Sequence, residues 1–554
     1  MDRGRPSRYV TRVNDRSLDL DFVVIGSGFG GSVSALRLSE KGYRVAVLEM
    51  GKRWNASDFP KTNWNVRKYL WLPRLGCFGI QQMTVLEHVV VLHGAGVGGG
   101  SLVYANTLVT PTEKALRSAS WPAGVDWAAT LAPHYATARR MLGATLAPRV
   151  FRGDELLREV VEEETGRGAT FRKHEVAVFF GEPDVRVADP YFGGRGPERA
   201  GCTFCGACMT GCKHGAKNTL DRNYLWLAER LGAEVHAETF VTDVRPAAGG
   251  GYEVHAERST SRLHRDRRVY RAGGVVFAAG ALGTSRLLLS CKARGSLPGL
   301  SDKVGDFVRT NSEALVGALA KDDAIDFSQG IAITSGIDAD EHTHMELCRY
   351  GKGQNFMGTL TTHLTKDAPP WPRWMRWLGG LLRHPIRYAR AHKVRNWAAR
   401  TAIVLVMQPI ESFMRLRLGT RLGRTVLRSE TMGGPPPPTY IPIANRIAER
   451  LARKIHGTPG NLVLEVLGNR SSTAHILGGA VMASDASRGV CDARGRVFGH
   501  EGLYVADGAV VPANLGVNPA LTITALAEHV MAGVSAKGAA APAKALAPAE
   551  EAPA

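Results

Sequence analysis

The sequence has few of the features that mark membrane-spanning, exported or disulfide-linked proteins. None of its 554 residues lie in a run of about 18 apolar residues, the length that a membrane helix requires. The start is charged and has no apolar core, so we expect no signal peptide. Only eight cysteines occur, and Cys77, Cys291, Cys348 and Cys491 stand singly. We therefore expect a cytoplasmic protein whose clustered cysteines serve metal or redox chemistry.

Acidic residues are also in short supply. The chain has 70 Lys and Arg against 51 Asp and Glu, which gives a net charge of +19. Such an excess attracts nucleic acid or anionic lipid. The sequence contains no nucleic-acid-binding motif, so we predict no nucleic-acid partner. Residues 1–16 are interpreted as an N-terminal extension, and the Ala/Pro-rich residues 536–554 as a disordered tail.

Glycine, by contrast, is abundant, and its 63 residues are concentrated in loops typical of nucleotide sites. Gly26, Gly28 and Gly31 follow an apolar strand and open a helix. Such glycines allow a tight turn, close approach of a pyrophosphate, and packing of helix on strand. Glu49 ends the next strand, where an acid accepts hydrogen bonds from a ribose diol. This pattern predicts a Rossmann-type dinucleotide site in an α/β fold.

Three later segments also have the form of cofactor-binding loops. The first is HGAGVGGGSLVYANT from His93, and the second is a buried strand and Gly turn near Val275. The third is EGLYVADGAVVPANLGVNPALTITALAEHVM from Glu501, with a helix expected to begin near Pro519. A nicotinamide dehydrogenase does not need cofactor loops this far along the chain. The segments therefore favour a cofactor with a second, bulky part over a nicotinamide dinucleotide.

Together these segments resemble the glucose–methanol–choline (GMC) oxidoreductases, and within them the cholesterol oxidase-like branch. The resemblance implies a discontinuous Rossmann-type FAD-binding domain, residues 17–110, 199–308 and 472–535. An α+β substrate-binding domain, residues 111–198 and 309–471, is inserted between its pieces. It implies non-covalent FAD held by Gly26, Gly28, Gly31, Glu49, Gly98, Gly100, Ser101, the backbone of Val241, Asp507, Asn518 and Pro519.

The resemblance also implies the reaction and the residues that carry it. The expected activity is oxidation of a sterol, 3-hydroxysteroid or similar apolar alcohol to the ketone. His475 would be the active-site base, since imidazole titrates near working pH, with Asn518 as its polar partner. The alternative for His475 is a buried structural histidine. Tyr104 stands where secreted members carry Asn, so the floor of the site is expected to differ.

Glu346 is a second acid–base candidate. By resemblance it would move a proton on the steroid ring and isomerise the double bond. The alternative is a structural salt bridge with Arg349. Two other functions remain open: a flavin/iron–sulfur dehydrogenase that oxidises a non-steroid lipid alcohol, and a non-catalytic flavoprotein redox scaffold. The electron acceptor is O2 or another acceptor.

A basic aromatic insert spans residues 371–400. It holds eight Arg or Lys, four Trp and no acid. Trp374, Trp377, Leu378, Leu381 and Leu382 share one helical face, opposite Arg373, Arg376 and Arg383, and Gly379, Gly380 and Pro385 are expected to break the helix. Such a segment lies in a lipid interface, which implies peripheral contact with the inner face of a membrane, or forms a lid on the substrate cavity.

Four cysteines, Cys202, Cys205, Cys208 and Cys212, have the spacing C-x2-C-x2-C-x3-C. This spacing is typical of iron–sulfur ligands, and the intervening residues are uncharged. We predict a [4Fe–4S] cluster here, which would give electrons a route other than O2. Zinc and free thiols are the alternatives.

Overall fold

A computed structural model describes residues 19–261, 265–368, 370–421, 423–433 and 435–538. The expected N-terminal extension, residues 1–16, lies outside the described residues, as does the predicted tail from residue 539 onward. None of the described helices is both long and apolar enough to cross a membrane.

A seven-stranded sheet forms the centre of the first half of the molecule. The strands Val45–Leu48, Asp19–Ile25 and Arg268–Phe277 lie side by side and run parallel. Branched apolar residues dominate these strands because both faces of a parallel sheet are covered. The remaining strands of this sheet are Glu234–His236, Thr239–Pro246, Tyr252–Arg258 and Leu503–Val505. This arrangement confirms the predicted Rossmann-type unit.

Helices enclose this sheet, and the first of them, Phe29–Glu40, begins at the glycine motif. It packs between the C-terminal helix, Ala520–Ala532, and the helix Tyr224–Arg230, and the three helices bury small and apolar side chains. The other helices around the sheet are Trp127–Leu142 and Gly280–Arg294. Trp127–Leu142 falls within the segment predicted for the substrate domain. Its apolar face instead packs on Ala520–Ala532, in the core of the nucleotide-binding half.

A second seven-stranded sheet, entirely antiparallel, forms the substrate half. Its strands, in order, are Thr361–His363, Thr458–Leu462, Ala314–Leu319, Thr401–Met407, His344–Cys348, Ser335–Asp338 and Arg172–Lys173. Helices Arg152–Thr165 and Pro442–Lys454 cover one face with a separate apolar core. Because strand side chains alternate, the opposite face is left to line a cavity. The inserted α+β domain that the sequence predicts is therefore present.

Smaller elements connect the two halves. One of them is a three-stranded sheet of Gln81–Val85, Val89–Gly94 and Ser471–Thr473. The strand Val89–Gly94 leads into the glycine-rich loop, and the strand Ser471–Thr473 ends two residues before His475. The short hairpins pair Trp71–Leu72 with Cys77–Phe78, Thr145–Leu146 with Glu175–Val176, Arg186–Val187 with Arg199–Ala200, and Met414–Arg421 with Arg424–Thr431. The short helices are Val66–Tyr69, Glu113–Leu116, Trp397–Arg400 and Val463–Leu467.

The basic insert begins with two helices, Arg373–Arg383 and Pro385–Ala391, and ends with the short helix Trp397–Arg400. The expected break at Gly379 and Gly380 is wrong, because the first helix runs through both glycines. Gly380 instead allows the helices to cross closely, since a Cβ there would lie 2.1 Å from the hydroxyl oxygen of Tyr388. The first helix ends at Arg383, before Pro385, which cannot continue it.

Candidate active site

One large cavity, about 1700 Å³ in volume, extends from the glycine motif of the first half to the open face of the antiparallel sheet. Gly26, Gly28 and Glu49 line one end. Apolar side chains line the other end: Leu315, Leu319, Ile333, Met357, Trp397, Ile403 and Leu405. A volume of this size holds a dinucleotide and a rigid apolar substrate together.

The glycine motif has the shape that a pyrophosphate site requires. A Cβ at Gly31 would lie 2.0 Å from the carbonyl oxygen of Gly26, so only glycine lets this helix approach the strand. At Gly28 a Cβ would meet no atom within 4 Å, because this position opens into the cavity. The motif therefore presents bare backbone and a helix N-terminus to the cavity, which suits an anionic phosphate.

Two buried carboxylates lie at this end of the cavity. The Glu49 carboxylate accepts hydrogen bonds from the Ser27 hydroxyl at 2.7 Å and from the backbone N–H of Gly51 at 2.8 Å. Burial raises the pKa of Glu49 despite these donors. Asp507 accepts from the Thr284 hydroxyl and the Gly280 N–H, and burial raises the pKa of Asp507 to about 6. Both acids line the cavity where the sequence predicts contact with the cofactor.

The glycine-rich loop forms the wall beside them. Gly100 lines the cavity, whereas Gly98 and Ser101 lie directly behind the wall and shape its turn. Gly98 has φ +103°, a conformation that favours glycine, and the Ser101 hydroxyl donates to its carbonyl at 2.7 Å. Val241 and Pro519, for which the sequence predicts cofactor contacts, also line the cavity. The structure thus places Gly98 and Ser101 as supports of the loop.

His475 lies on the cavity wall in contact with Glu313. The His475 Nδ1 meets a carboxylate oxygen of Glu313, and the other oxygen accepts the Ala474 N–H at 2.9 Å. This contact leaves Nε2 as the ring nitrogen available to a substrate. Burial alone would lower the pKa of His475, but the Glu313 charge and hydrogen bond raise it above the usual value. His475 is therefore a paired group at the cavity.

Asn518 also lines the cavity and connects it to Glu346. The Asn518 Nδ2 donates to Glu346 Oε2 at 3.0 Å. Glu346 is fully buried one layer behind the wall, with Oε1 facing His174 and His344. Burial would raise the pKa of Glu346, but these two histidines hold it well below its usual range. The alternative salt bridge to Arg349 is wrong.

Arg349 has a different partner, Asp154. The Arg349 guanidinium donates to the Asp154 carboxylate at 2.7 Å, and both side chains are almost completely buried. Side chains alternate along the strand His344–Cys348, and Arg349 comes just after its end. Glu346 is therefore free of Arg349 and contacts the cavity wall through Asn518.

Family models match three parts of the chain. A model described as GMC oxidoreductase matches residues 197–296, a second with the same description matches residues 420–527, and an NAD(P)-binding Rossmann-like model matches residues 24–66. A cholesterol oxidase of Acinetobacter baumannii is 46% identical over 94% of this chain and 95% of its own. A cholesterol oxidase of Mycobacterium tuberculosis is 48% identical over 92% and 90%. The chain belongs to the GMC oxidoreductase family.

Two solved structures share this fold at low sequence identity. Formate oxidase of Aspergillus oryzae superimposes with a TM-score of 0.60 at 12% identity, over 93% of this chain and 97% of its own. Pyridoxine 4-oxidase of Mesorbium loti gives 0.58 at 14% identity, over 93% and 99%. At these identities the likeness extends to the fold alone.

Membership of the GMC family makes this chain an FAD-dependent oxidoreductase that acts on CH–OH groups. The structure fits FAD, because bare backbone at Gly28 faces the cavity and the buried Glu49 lies at the end of the second strand. His475 and Asn518 both line the cavity that the dinucleotide end and the apolar end share. The non-catalytic redox scaffold is therefore not favoured.

The four clustered cysteines lie beside the glycine-rich loop of this GMC fold. Cys202, Cys208 and Cys212 lie in a small apolar cluster, and Cys205 is exposed. Among the described residues, no three of the four sulfurs lie within 4.8 Å of one another. Tetrahedral zinc holds thiolate sulfurs about 3.8 Å apart, which is closer than any three of these sulfurs lie to one another.

Lys217 connects this cysteine loop to the cavity wall. Its buried ammonium donates to the carbonyl oxygens of Cys208 at 2.9 Å, Leu102 at 3.1 Å and Tyr104 at 2.9 Å. Burial lowers the pKa of Lys217 to about 8, although the thiols of Cys208 and Cys212 act in the opposite direction. Met209, within the cysteine loop, lines the cavity. The loop is therefore next to the predicted flavin site.

The Trp/Arg insert combines inward and outward contacts. Trp377 faces inward and donates to the Thr362 hydroxyl at 2.8 Å. Arg373, which helical periodicity places opposite the Trp face, is buried, and its guanidinium donates to carbonyl oxygens of Thr365, Thr439 and Glu465. Other large apolar side chains of the insert are exposed: Trp371, Trp374, Met375, Leu378, Leu382 and Ile386.

Sequence reasoning missed Glu313, His174 and His344. Glu313 comes directly before the buried strand Ala314–Leu319, in the stretch TNSEALVGAL. A single acid at the entrance to an apolar strand was the available signal, because a charged group rarely enters a core without a partner. His174 carries no local signal, because its partner Glu346 lies across the sheet. His344 did carry one, since it stands two residues before Glu346 on the same strand.

Proposed function

We propose that this protein is a cholesterol oxidase-like enzyme that oxidises the hydroxyl group of a 3-hydroxysteroid to the ketone. The observation that carries the proposal is the single cavity in which the dinucleotide end, His475 and Asn518 meet an apolar chamber. The cholesterol oxidases that are 46% and 48% identical to this chain support a sterol as substrate. Val316, Leu319, Ile403 and Leu405 suit a rigid apolar ring system, which has no polar groups to satisfy.

His475 is the proposed base for the hydroxyl proton. Nδ1 is occupied by Glu313, so Nε2 takes the O–H proton while the adjacent C–H bond releases hydride. Bound FAD supplies the hydride acceptor. The Glu313 carboxylate stabilises the imidazolium that forms, as a carboxylate does for a histidine base. Asn518 orients the substrate oxygen from the same wall.

Glu346 is proposed to isomerise the ring double bond after oxidation. A ketone next to a CH2 group makes that CH2 acidic, and a carboxylate can move its proton to the far end of the double bond. Glu346 Oε2 lies behind Asn518 at 3.0 Å, so Asn518 must shift for the ring to reach it. Oxidation and isomerisation thus use different atoms of one polar wall.

The substrate class is tested by comparing cholesterol with its 3α-hydroxy epimer and a long-chain primary alcohol. Each is supplied at equal concentration to full-length, FAD-loaded protein, and ketone or aldehyde formation is followed. We expect cholesterol to be converted at least about tenfold faster than either the epimer or the long-chain alcohol. Only cholesterol both fills the apolar chamber with its ring system and presents its hydroxyl group to His475. Faster oxidation of the long-chain alcohol would favour the lipid alcohol dehydrogenase instead.

O2 is the proposed acceptor, and a [4Fe–4S] cluster on Cys202, Cys205, Cys208 and Cys212 is proposed as a further group. The position of the cysteine loop beside the cavity wall supports the cluster. Iron analysis of protein purified without oxygen should give about four irons per chain. Stoichiometric peroxide formation during turnover supports O2 as acceptor, and turnover without peroxide contradicts it. Four alkylatable thiols without iron contradict the cluster.

We also propose that the insert docks on an anionic membrane at the cytoplasmic face. Leu382 is 75% exposed, and the apolar side chains around it are surrounded by arginines without any acid. The double variant Leu378→Ser/Leu382→Ser should bind anionic vesicles at least about tenfold more weakly. Leu75→Ser is the matched control, since Leu75 is 74% exposed and lies outside the insert. Equal binding by both variants would contradict docking through this face.

A further inference from the structure

Three buried polar atoms converge behind the cavity wall. They belong to His174, His344 and Glu346, which are 3%, 5% and 0% exposed. Their ligand atoms lie within 4.8 Å of one another, the one such group of three or more among the described residues. Neither imidazole Nε2 nor Glu346 Oε1 makes a well-oriented hydrogen bond. Buried polar atoms without such partners are rare in folded proteins, so the group needs an explanation.

We propose that His174, His344 and Glu346 bind a divalent transition-metal ion through the two Nε2 atoms and Oε1. Two imidazoles and one carboxylate form a donor set that Zn²⁺ and Fe²⁺ both accept. A metal about 2.0–2.2 Å from each ligand places neighbouring ligand atoms roughly 3.0–3.5 Å apart. Glu346 Oε1 lies 3.0 Å from the His174 Nε2 and 3.5 Å from the His344 Nε2.

The sheet gives this group its shape. His344 and Glu346 are two residues apart on one strand and so project from the same face. His174 follows the strand Arg172–Lys173 and approaches across Gly336. A Cβ at Gly336 would lie 2.4 Å from the His174 Nε2 and 2.6 Å from the His344 Nε2. A residue without a side chain at position 336 is therefore required for the two imidazoles to meet there.

Asp338 supplies a feature typical of metal-binding histidines. Its carboxylate contacts the His344 Nδ1 at 2.6 Å, which fixes the ring and directs Nε2 toward Glu346. Metal-ligating histidines commonly donate their second N–H to a carboxylate in this way. Arg172 in turn pairs with Asp338 at 2.7 Å, so the supporting carboxylate is itself held in place.

The metal would act on the active site through Glu346. Oε1 faces the histidines, whereas Oε2 accepts the Asn518 Nδ2 at 3.0 Å. A metal on Oε1 would hold the carboxylate in place, while Oε2 stays on the side of Asn518, which lines the cavity. His174 and His344 are positioning residues in this arrangement, and Glu346 keeps Oε2 for the proposed proton transfer. The metal proposal does not depend on a sterol substrate.

Metal binding is tested on full-length protein stripped with a chelator and then loaded with Zn²⁺ or Co²⁺. We expect one tightly bound ion at this group, and a rise in melting temperature when it binds. Bound Co²⁺ should show visible bands without the strong near-ultraviolet absorption that thiolate ligands produce. This spectrum separates the site from the four cysteines. A wild-type protein that retains no metal would overturn the proposal.

Variants locate the ion. His344→Gln should weaken Co²⁺ binding more than 100-fold, since one ligand is removed. The matched control is His342→Gln, an exposed histidine just before the same strand, which should bind like wild type. Asp338→Asn keeps every ligand and should weaken binding about 10–100-fold. Unchanged Co²⁺ affinity and spectrum in the double variant His174→Gln/His344→Gln would contradict the site, whatever its activity.

Discussion

The dinucleotide end and the substrate end of the cavity are built from different parts of the chain. At the dinucleotide end, backbone and glycine from residues 26–31 do most of the shaping, and Glu49 follows closely in sequence. At the substrate end, side chains come from several distant strands, and His475 meets Glu313 across 162 positions. The glycine motif and Glu49 form a local structure, whereas the substrate end exists only once the whole antiparallel sheet has formed.

A valine at Gly28 should have the largest effect on the dinucleotide end. Its side chain would project into the space where we expect the pyrophosphate, so FAD should be lost while the fold remains. Gly249→Val is the matched control, because a Cβ there also meets no atom within 4 Å but lies on an exposed loop. Flavin absorbance of the purified variants, with circular dichroism for folding, is the measurement. A yellow Gly28→Val protein with full flavin content would contradict the claim that the backbone at Gly28 shapes the dinucleotide end.

Removal of the imidazole should have the next largest effect. His475→Ala should keep FAD, since the dinucleotide end is untouched, but lower the rate of flavin reduction by about 10²–10⁴. Rapid mixing with cholesterol in the absence of O2 measures this rate. The same rate in variant and wild type would assign His475 to the core, the alternative role.

Replacement of Glu313 tests whether the substrate end works through distant pairs. Glu313 raises the pKa of His475, so the neutral base appears only as pH rises through that raised value. In Glu313→Gln the raising charge is gone. The rise in the rate of flavin reduction with pH should therefore occur at lower pH than in wild type, and the maximum rate should fall about 10–100-fold.

The pH profile of flavin reduction checks the role of Glu313. Glu313→Asp, which keeps the charge on a shorter side chain, should show the rise in rate at the same pH as wild type but reach a lower maximum rate. A rise that stays at the wild-type pH in Glu313→Gln would contradict the pairing of Glu313 with His475.

A change at Glu346 should have the smallest effect on oxidation. Glu346→Gln keeps a carbonyl oxygen for Asn518, so flavin reduction should slow by less than about tenfold. The unconjugated 5-en-3-one should accumulate, because the amide cannot take the ring proton. Product analysis by ultraviolet absorbance, which responds to conjugation, reports the ratio. A fully conjugated product would remove Glu346 from isomerisation.

Much of the dinucleotide end was predictable, because its determinants are short and contiguous. The strand, the glycine turn and the helix follow one another within residues 19–40, so one short stretch of sequence specifies all three. Asp507 likewise comes just after a strand, Leu503–Val505. The resemblance to a known family added His475 and Asn518, which both line the cavity. Local pattern alone would not have selected His475 from 17 histidines.

The substrate end was less predictable because its partners are remote. Nothing near Glu313 in sequence indicates that it meets His475, and nothing near Glu346 indicates His174. The insert shows the same limit. Arg373 fits a solvent face by helical periodicity, yet carbonyl oxygens from residues as far away as Glu465 hold it inside. Gly380 is typical of a helix break, yet in the structure it lies within a helix and leaves room for the hydroxyl group of Tyr388 on the next helix.

The central claim is that one cavity brings the sterol hydroxyl, His475 and FAD together. Single-turnover reduction without O2 tests it most directly, with equal amounts of FAD-loaded protein and cholesterol. The account predicts loss of the oxidised-flavin absorbance and formation of one steroid ketone per flavin, with both changes at the same rate. Flavin that stays oxidised while cholesterol is bound, or ketone that forms without flavin reduction, would contradict it.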